Sequence, residues 1–331
     1  MKSEILLSNT PPTQHFESID LLRGLTAIVV AFYHFSNFFL PKTNWLHVAF
    51  AQGYLGVEAF FVISGLVIPL SFAQKNYSIA QFKSVVTKRI IRIEPAYWAS
   101  IALMIFIDVF GRLYERGEWP HFSVFNLFLH IFHANAVFNE PWLRGIYWTL
   151  AIDWQFYLVV CLAFPLFNRA EFWARYPLYA LFLGGHWLAP YAWLPYHIVP
   201  FGAGVALFHY YRGYANRWEL AAILAALLFA HFKAFNYEHC LATAISVGII
   251  LFIKEVGRIG KSLGKISYSY YLTHVFSGWT MLNGLAMLTK DPIILTLGVF
   301  VAVLISIPFA QWFYNKVEQP TMAWAKKSDK L

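Results

Sequence analysis

The sequence predicts an all-α, polytopic membrane protein with about ten transmembrane helices and both termini in the cytoplasm. Its 331 residues are 59% hydrophobic and only 13% charged, whereas about a quarter of the residues in a soluble domain are charged. The mean hydropathy is +0.53, and long apolar runs recur along the whole chain. No stretch reads as a soluble second domain, so we expect a single integral membrane domain over 1–331 with polar cytoplasmic tails at 1–18 and 316–331.

Ten apolar segments are predicted to span the membrane. They are 19–40, 54–72, 93–110, 145–168, 176–189, 195–211, 218–232, 238–254, 267–289 and 291–315. No cleavage pattern follows the first of them, so we expect a retained span and not a signal peptide. The two cysteines, Cys161 and Cys240, both fall in apolar segments, where we expect no structural disulfide.

The placement of lysine and arginine predicts the topology. With the N-terminus inside, the inner segments hold 18 of these residues and the outer segments hold five, in agreement with the positive-inside rule. This balance requires an even number of spans between 92 and 169. The polar segment 121–138, with three histidines and two asparagines, is therefore predicted to be interfacial or re-entrant on the outer side. The net charge of +8 is explained by this loop asymmetry and indicates no nucleic-acid partner.

The first predicted helix carries two ionisable side chains, Arg23 and His34, in an otherwise apolar run. They are separated by 11 positions, which places them on one face of a helix, about 16 Å apart along its axis. Lipid cannot solvate such groups, so each must face protein or water. Both residues are therefore candidates for function.

The predicted depths of the polar residues place two groups with different chemistry on opposite sides of the membrane. Glu58 and Asp153 are predicted to share the outer half of the membrane with His34. A histidine beside carboxylates suits proton abstraction, because the acid fixes the imidazole tautomer and stabilises the imidazolium. Arg23 and the basic stretch 88–92 are predicted on the inner side, where guanidinium groups suit phosphates.

Several motifs together resemble the acyltransferase-3 family of integral membrane acyltransferases. They are Arg23-Gly24 followed by His34, GYLGVEAFFVISGLVI at 53–68, KRIIRIEPAYW at 88–98, YWTLAIDWQFYL at 147–158, ISYSYYLTH at 266–274 and VEQP at 317–320. Each motif is weak alone, but their order and spacing are specific and extend over nearly the whole chain. We expect a short, membrane-only member, since no hydrolase-like domain is appended.

The resemblance implies transfer of an acyl group, usually acetyl from acetyl-CoA, to a saccharide or glycolipid hydroxyl at a bacterial inner membrane. His34 takes the position of the family's proposed catalytic histidine and Arg23 that of its essential arginine. Arg89 and Arg92 match the arginines thought to assist acyl-CoA binding. Asp153 stands where the family usually has glutamate, so a carboxylate role there needs a closer helix or a bridging water.

Plainer interpretations of the same residues stay open. Arg23 could anchor a helix end by snorkelling, and Glu58 could simply favour a helix N-terminus. His274 either lines the donor path, as a cofactor-binding residue, or packs in the core. The pair His130 and His133 is predicted to be structural, because no third ligand has convincing spacing, so we expect no metal.

Two other functions compete with the acyltransferase. A proton-coupled carrier of a small or glycan substrate would use the same intramembrane Arg, His, Glu and Asp, but the sequence shows no inverted repeat. A structural scaffold would leave the spacing of Arg23 and His34 unexplained. Acyl-CoA, the acceptor and membrane lipids are the predicted partners. An oligomer is possible but not predicted.

Overall fold

The structure, a computed structural model, describes residues 16–116 and 122–327, and only the backbone of 112–116. Within these residues the regular structure is helical, with no strand. The helices are α1 Glu17–Phe39, α2 Trp45–Phe50, α3 Gly56–Gln74, α4 Phe82–Arg116, α5 Val124–Ile131, α6 Trp148–Phe167, α7 Phe172–Gly184, α8 Ile198–Tyr211, α9 Arg217–Ala234, α10 Tyr237–Phe252, α11 Arg258–Leu288, α12 Pro292–Phe313 and α13 Gln319–Lys327. A π-helical segment, Tyr314–Glu318, joins α12 to α13. The all-α prediction is confirmed.

Each of the ten predicted spans overlaps one of the longer helices, α1, α3, α4 and α6 to α12. Five helical segments of the described chain are long and apolar enough to cross a membrane: Glu17–Phe39, Trp45–Gln74, Ile79–Gly111, Trp148–Phe167 and Pro292–Lys327. The protein is therefore a multi-pass membrane protein. The count of ten spans and the cytoplasmic termini stay predictions.

Polar caps explain where several helices begin. An Asn or Asp side-chain oxygen accepts a hydrogen bond from a first-turn N–H and so satisfies a donor that the helix cannot. These caps are Asn44 before α2, Asn216 before α9, Asn236 before α10 and Asp291 before α12.

The helices α1 and α11 pack side by side in the same direction. A Cβ atom at Gly264 would lie 2.4 Å from the carbonyl oxygen of Asp20, near the start of α1. A Cβ atom at Gly278 would lie 2.1 Å from the ring of Phe35, near the end of α1. Glycine thus lets the two helices approach along their length. The C-terminal half of α1, which carries His34, is therefore held beside the middle of α11, which carries His274.

A second close crossing joins α3 to α8. A Cβ atom at Gly65 would lie 2.2 Å from the carbonyl oxygen of Phe201, and one at Gly204 would lie 2.2 Å from that of Val62. Backbone approaches backbone here, as small residues allow in membrane helix pairs. The crossing fixes α3, which carries Glu58.

The structure also refines two predicted segments. The segment 121–138 contains the helix α5, which has eight residues and a length of about 12 Å. This helix is too short to span a membrane and is compatible with the predicted interfacial or re-entrant segment. His121 lies outside the described residues. The predicted start of the third span at residue 93 is wrong, because α4 begins at Phe82 and carries the basic stretch 88–92 inside the helix.

Candidate active site

Three arginines gather from two helices. Arg23 lies in the second turn of α1, and Arg89 and Arg92 lie one turn apart on α4. The charge of Arg23 interacts with that of Arg92, and the charge of Arg92 interacts with that of Arg89. Like charges repel, so such a cluster needs acids nearby or an anionic ligand.

Arg89 is paired with Asp153 of α6. The guanidinium donates to Asp153 Oδ2, and the two side chains are 13% and 24% exposed. The Arg89 Cζ also lies 4.2 Å from the ring centroid of Tyr157 and 5.1 Å from that of Trp154. The pair and the two rings hold the guanidinium in one orientation, since planar guanidinium stacks on aromatic faces.

Glu318 supplies a second acid to this cluster. It lies in the π-helical segment, is buried, and accepts a 2.6 Å hydrogen bond from the Ser269 hydroxyl. Its charge interacts with those of Arg92 and Arg23. The sequence alone indicated no chemical role for Glu318 beyond its place in the VEQP motif. The wider turn of the π segment, which nothing in the local sequence announces, directs its side chain inward.

His34 lies near the other end of α1, half-buried. Its ring centroid is 5.4 Å from that of His274 and 5.1 Å from that of Tyr33. Among the described residues His34 has no hydrogen bond and no ion pair. The predicted contact between His34 and a carboxylate is therefore not what the structure shows, because both candidate acids have other partners.

Glu58 is one of those acids, and it is surrounded by donors from α9 and α10. Its Oε2 lies 2.8 Å from His231 Nε2 and 2.7 Å from the Thr243 hydroxyl, and its Oε1 contacts His239 Nδ1. Asp153, the other acid, is level with the arginines instead of His34, since it pairs with Arg89. Neither carboxylate orients His34.

His274 of α11 is fully buried, and its ring neighbours those of His34 and Phe35 on α1. Its Nδ1 lies 2.9 Å from the carbonyl oxygen of Tyr271 and 3.2 Å from that of Tyr270. A carbonyl oxygen only accepts, so Nδ1 carries the proton. His274 Nε2 is then an acceptor, and it has no hydrogen-bond partner among the described residues. This nitrogen can accept an N–H from a neighbouring imidazole.

A further acid–imidazole pair, not predicted from the sequence, lies beside the arginine cluster. His133 Nε2 lies 3.1 Å from Glu94 Oε2, and the Trp154 indole N–H donates to Glu94 Oε1 at 2.5 Å. The His133 ring stacks on Tyr97, with ring centroids 4.4 Å apart. His133 has a φ of 55°, an uncommon left-handed backbone that aims its side chain into the bundle. The only sequence signal was Glu94 itself, an acid within a predicted span.

His130, three residues earlier, has a different environment. Its Nδ1 lies 2.9 Å from the Asn126 carbonyl oxygen, and its Nε2 accepts the Leu143 N–H at 3.0 Å. Both ring nitrogens are used within the local loop, which agrees with a structural role for His130. In the described part of the chain, the side chains that are arranged as metal ligands could be are Glu58, His231 and His239, and not the pair His130 and His133. The ligand atoms of these three residues all lie within 4.8 Å of one another.

Comparison with known proteins adds a family and three relatives. A family model described as an acyltransferase domain, acyltransferase-3, matches residues 16–311. A protein of Acidianus two-tailed virus, ORF330, named as a candidate acetyltransferase, is 24% identical over 301 residues, which cover 83% of this chain and 87% of that protein. No solved structure matches.

Two bacterial relatives match a smaller part. The peptidoglycan O-acetyltransferase OatA of Listeria monocytogenes is 33% identical over 158 residues, covering 44% of this chain and 24% of OatA. YrhL of Bacillus subtilis, named as a candidate peptidoglycan O-acetyltransferase, is 32% identical over 164 residues, with the same coverage of 44% and 24%. The matched part is thus about a quarter of each of these longer proteins.

Proposed function

This chain belongs to the acyltransferase-3 family and is an acyltransferase, and from that premise we propose that it is a membrane O-acetyltransferase acting on a saccharide. Acetyl-CoA, or another acyl-CoA, is the donor on the cytoplasmic side. The acceptor is a hydroxyl of a cell-envelope saccharide or glycolipid, and the membrane is a bacterial inner membrane. The names of OatA and YrhL support O-acetylation of a glycan.

The observation that carries this proposal is the arrangement of α1. Arg23 stands in a cluster with Arg89 and Arg92 near the start of the helix. His34 follows on the same helix, about 16 Å further along its axis. Guanidinium groups bind phosphate oxygens, so the cluster is suited to the phosphates of CoA. The thioester then extends along α1 towards His34.

In the proposed reaction His34 is the general base. An imidazole nitrogen of His34 takes the proton of the sugar hydroxyl as its oxygen attacks the thioester carbonyl. The C–O bond forms, the C–S bond breaks, and the imidazolium returns the proton to the departing CoA thiolate. A covalent acyl-His34 intermediate would divide the same transfer into two steps.

The structure changes how His34 would be oriented. Glu58 and Asp153, predicted as its acids, are bonded to other residues. His274 replaces them as the orienting group: its Nε2 is an acceptor without a partner in the described structure, and its ring centroid is 5.4 Å from that of His34. A turn of the His34 ring would let one of its nitrogens donate an N–H to this acceptor, which leaves the other nitrogen free to act as base. Asp153 becomes a positioning residue for Arg89, and His274 a positioning residue for His34 and not a donor-binding one.

The decisive experiment is mass spectrometry of surface glycans from cells with and without this protein. We expect an added acetyl group only when the protein is present. Unchanged glycans at normal protein levels would contradict the proposal. Binding of acetyl-CoA by the purified protein separates this function from a proton-coupled carrier, whose uptake would ignore CoA donors. Reporter fusions at each loop test the ten spans and the cytoplasmic termini.

A further inference from the structure

Three helix ends meet at a carboxylate and two imidazoles. Glu58 lies in the first turn of α3, His231 in the last turn of α9 and His239 in the first turn of α10. Their ligand atoms all lie within 4.8 Å of one another. Glu58 is 5% exposed and His231 is 1% exposed, while the His239 side chain is 16% exposed. The cluster is thus buried but can be reached from one side.

Local structure holds these three side chains in place. The α9–α10 turn is fixed by Asn236, whose side-chain oxygen accepts the His239 N–H at 3.2 Å. Phe235 stacks on the His239 ring with centroids 4.4 Å apart. The Thr243 hydroxyl donates to Glu58 Oε2 at 2.7 Å. Such surrounding contacts are typical of sites whose ligands must keep one orientation.

The carboxylate of this cluster has no permanently charged partner in the described structure. Among the described residues Glu58 pairs with no lysine or arginine, only with His231 and His239. Neutral imidazoles donate hydrogen bonds but add no positive charge, and a buried anion without a cation is costly. One residue before His239, the Glu238 Oε2 is also buried without a hydrogen-bond partner in the described structure. A cation bound in the cluster would compensate the Glu58 carboxylate.

We propose that Glu58, His231 and His239 form a binding site for one divalent metal ion of the zinc class. Two imidazole nitrogens and one carboxylate are a typical three-ligand set for Zn²⁺, with the fourth position left to water or another ligand. Hard cations such as Mg²⁺ and Ca²⁺ prefer sites built from oxygen alone. The occupant is therefore a borderline metal and neither of those two.

The metal would tie the α9–α10 hairpin to α3. Tyr54 lies next to the site, with its ring centroid 6.1 Å from that of His239 and 5.4 Å from that of Tyr33. Tyr33 in turn neighbours His34. The site is thus separate from the proposed base but supports the same end of α1. This role goes beyond the proposed acyl transfer.

The test measures metal on the full-length protein, purified in detergent, stripped with a chelator and dialysed against Zn²⁺. We expect about one equivalent of bound Zn²⁺ per chain by elemental mass spectrometry, since a three-ligand site holds one ion. We also expect a higher unfolding temperature with Zn²⁺ and no rise with Mg²⁺ or Ca²⁺. Absence of bound Zn²⁺, or an equal rise with Mg²⁺, would overturn the site and leave only a hydrogen-bonded cluster.

Variants locate the ion. His239→Gln, at the more exposed ligand, should lose the bound equivalent. Thr243→Val should keep the site but weaken Zn²⁺ binding about 10–100-fold, as loss of an outer partner does. His47→Gln, at a histidine of α2 outside the cluster, should bind like the unaltered protein. Retention of the full equivalent by His239→Gln would refute the proposal. Neither readout uses acyl transfer, so this result and that of the proposed function are independent.

Discussion

The imidazole rings of His34 and His274 lie 5.4 Å apart, centroid to centroid, across the α1–α11 contact. His274 Nδ1 is committed to backbone carbonyl oxygens of its own helix. Its Nε2 is consequently an acceptor with no partner in the described structure. In the proposed mechanism, the His274 imidazole takes the place that a carboxylate has in many acid–base sites.

Replacement of His34 by alanine should abolish transfer while the protein still inserts and accumulates. Removal of a general base lowers the rate by about 10²–10⁴-fold, and loss of an acyl-histidine would lower it further. The measurement is glycan acetylation by mass spectrometry, with protein level measured in the same membranes. Asn37→Ala, one turn along α1 at an exposed position, is the control. Normal acetylation in His34→Ala would remove the mechanism.

Replacement of His274 by phenylalanine keeps a ring in the buried space but removes the Nε2 acceptor. We expect the turnover rate to fall about tenfold, the low end for interference with a general base, with little change in the donor KM. The pH profile of the rate should also shift, because His34 loses its neighbour. Thr280→Val, at an exposed position on the same helix, is the control. If only the unfolding temperature changes, His274 is a packing residue.

The sequence predicted the helices and the arginine cluster but not the partners of the acids. Residue counting gives depth along a helix, at about 1.5 Å per residue, and it correctly brought Arg23 and Arg92 together. It gives neither the direction of a side chain around the helix nor the order of helices in the bundle. The sequence therefore predicts Glu58 beside His34, whereas in the structure its side chain contacts the α9–α10 hairpin, including His231.

The ion pair between Arg89 and Asp153 predicts a graded response. Asp153→Asn leaves Arg89 without its anion, so we expect a lower free energy of unfolding, weaker binding of the acyl donor, or both. Removal of one partner from a buried pair costs about 3–5 kcal/mol. Here the exposure of 13% and 24% should reduce the loss to the order of 1–3 kcal/mol. Thermal unfolding and the acetyl-CoA KM measure the two effects.

Asp153→Glu is the matched control for that change. It restores the charge and the residue usual in the family, at the expense of one extra methylene. We expect unfolding temperature and donor KM close to those of the unaltered protein. A loss as large as that of Asp153→Asn would show that side-chain length, and not charge, decides the role of this position.

Arg89 itself should tolerate no other cation. Lysine keeps the charge but loses both the planar fork towards Asp153 and the stacking on Tyr157. We expect Arg89→Lys to raise the acetyl-CoA KM by about tenfold or more, equivalent to about 1.4 kcal/mol. Lys83→Arg, at an exposed position of the same helix, should leave KM unchanged. Normal donor kinetics in Arg89→Lys would exclude a specific role for the guanidinium.

The α3–α8 crossing predicts opposite effects for two glycine substitutions. Gly65→Ala would put a Cβ atom 2.2 Å from the Phe201 carbonyl oxygen, so the backbones must separate, and overpacking of this kind costs about 1–3 kcal/mol or more. Gly248→Ala, within α10, meets nothing within 4 Å and should stabilise by about 1 kcal/mol through helix propensity. Thermal unfolding in detergent measures both. Equal unfolding temperatures for the two variants would mean that α3 and α8 do not approach as closely as the structure shows. The position of Glu58, which α3 carries, would then have to be revised.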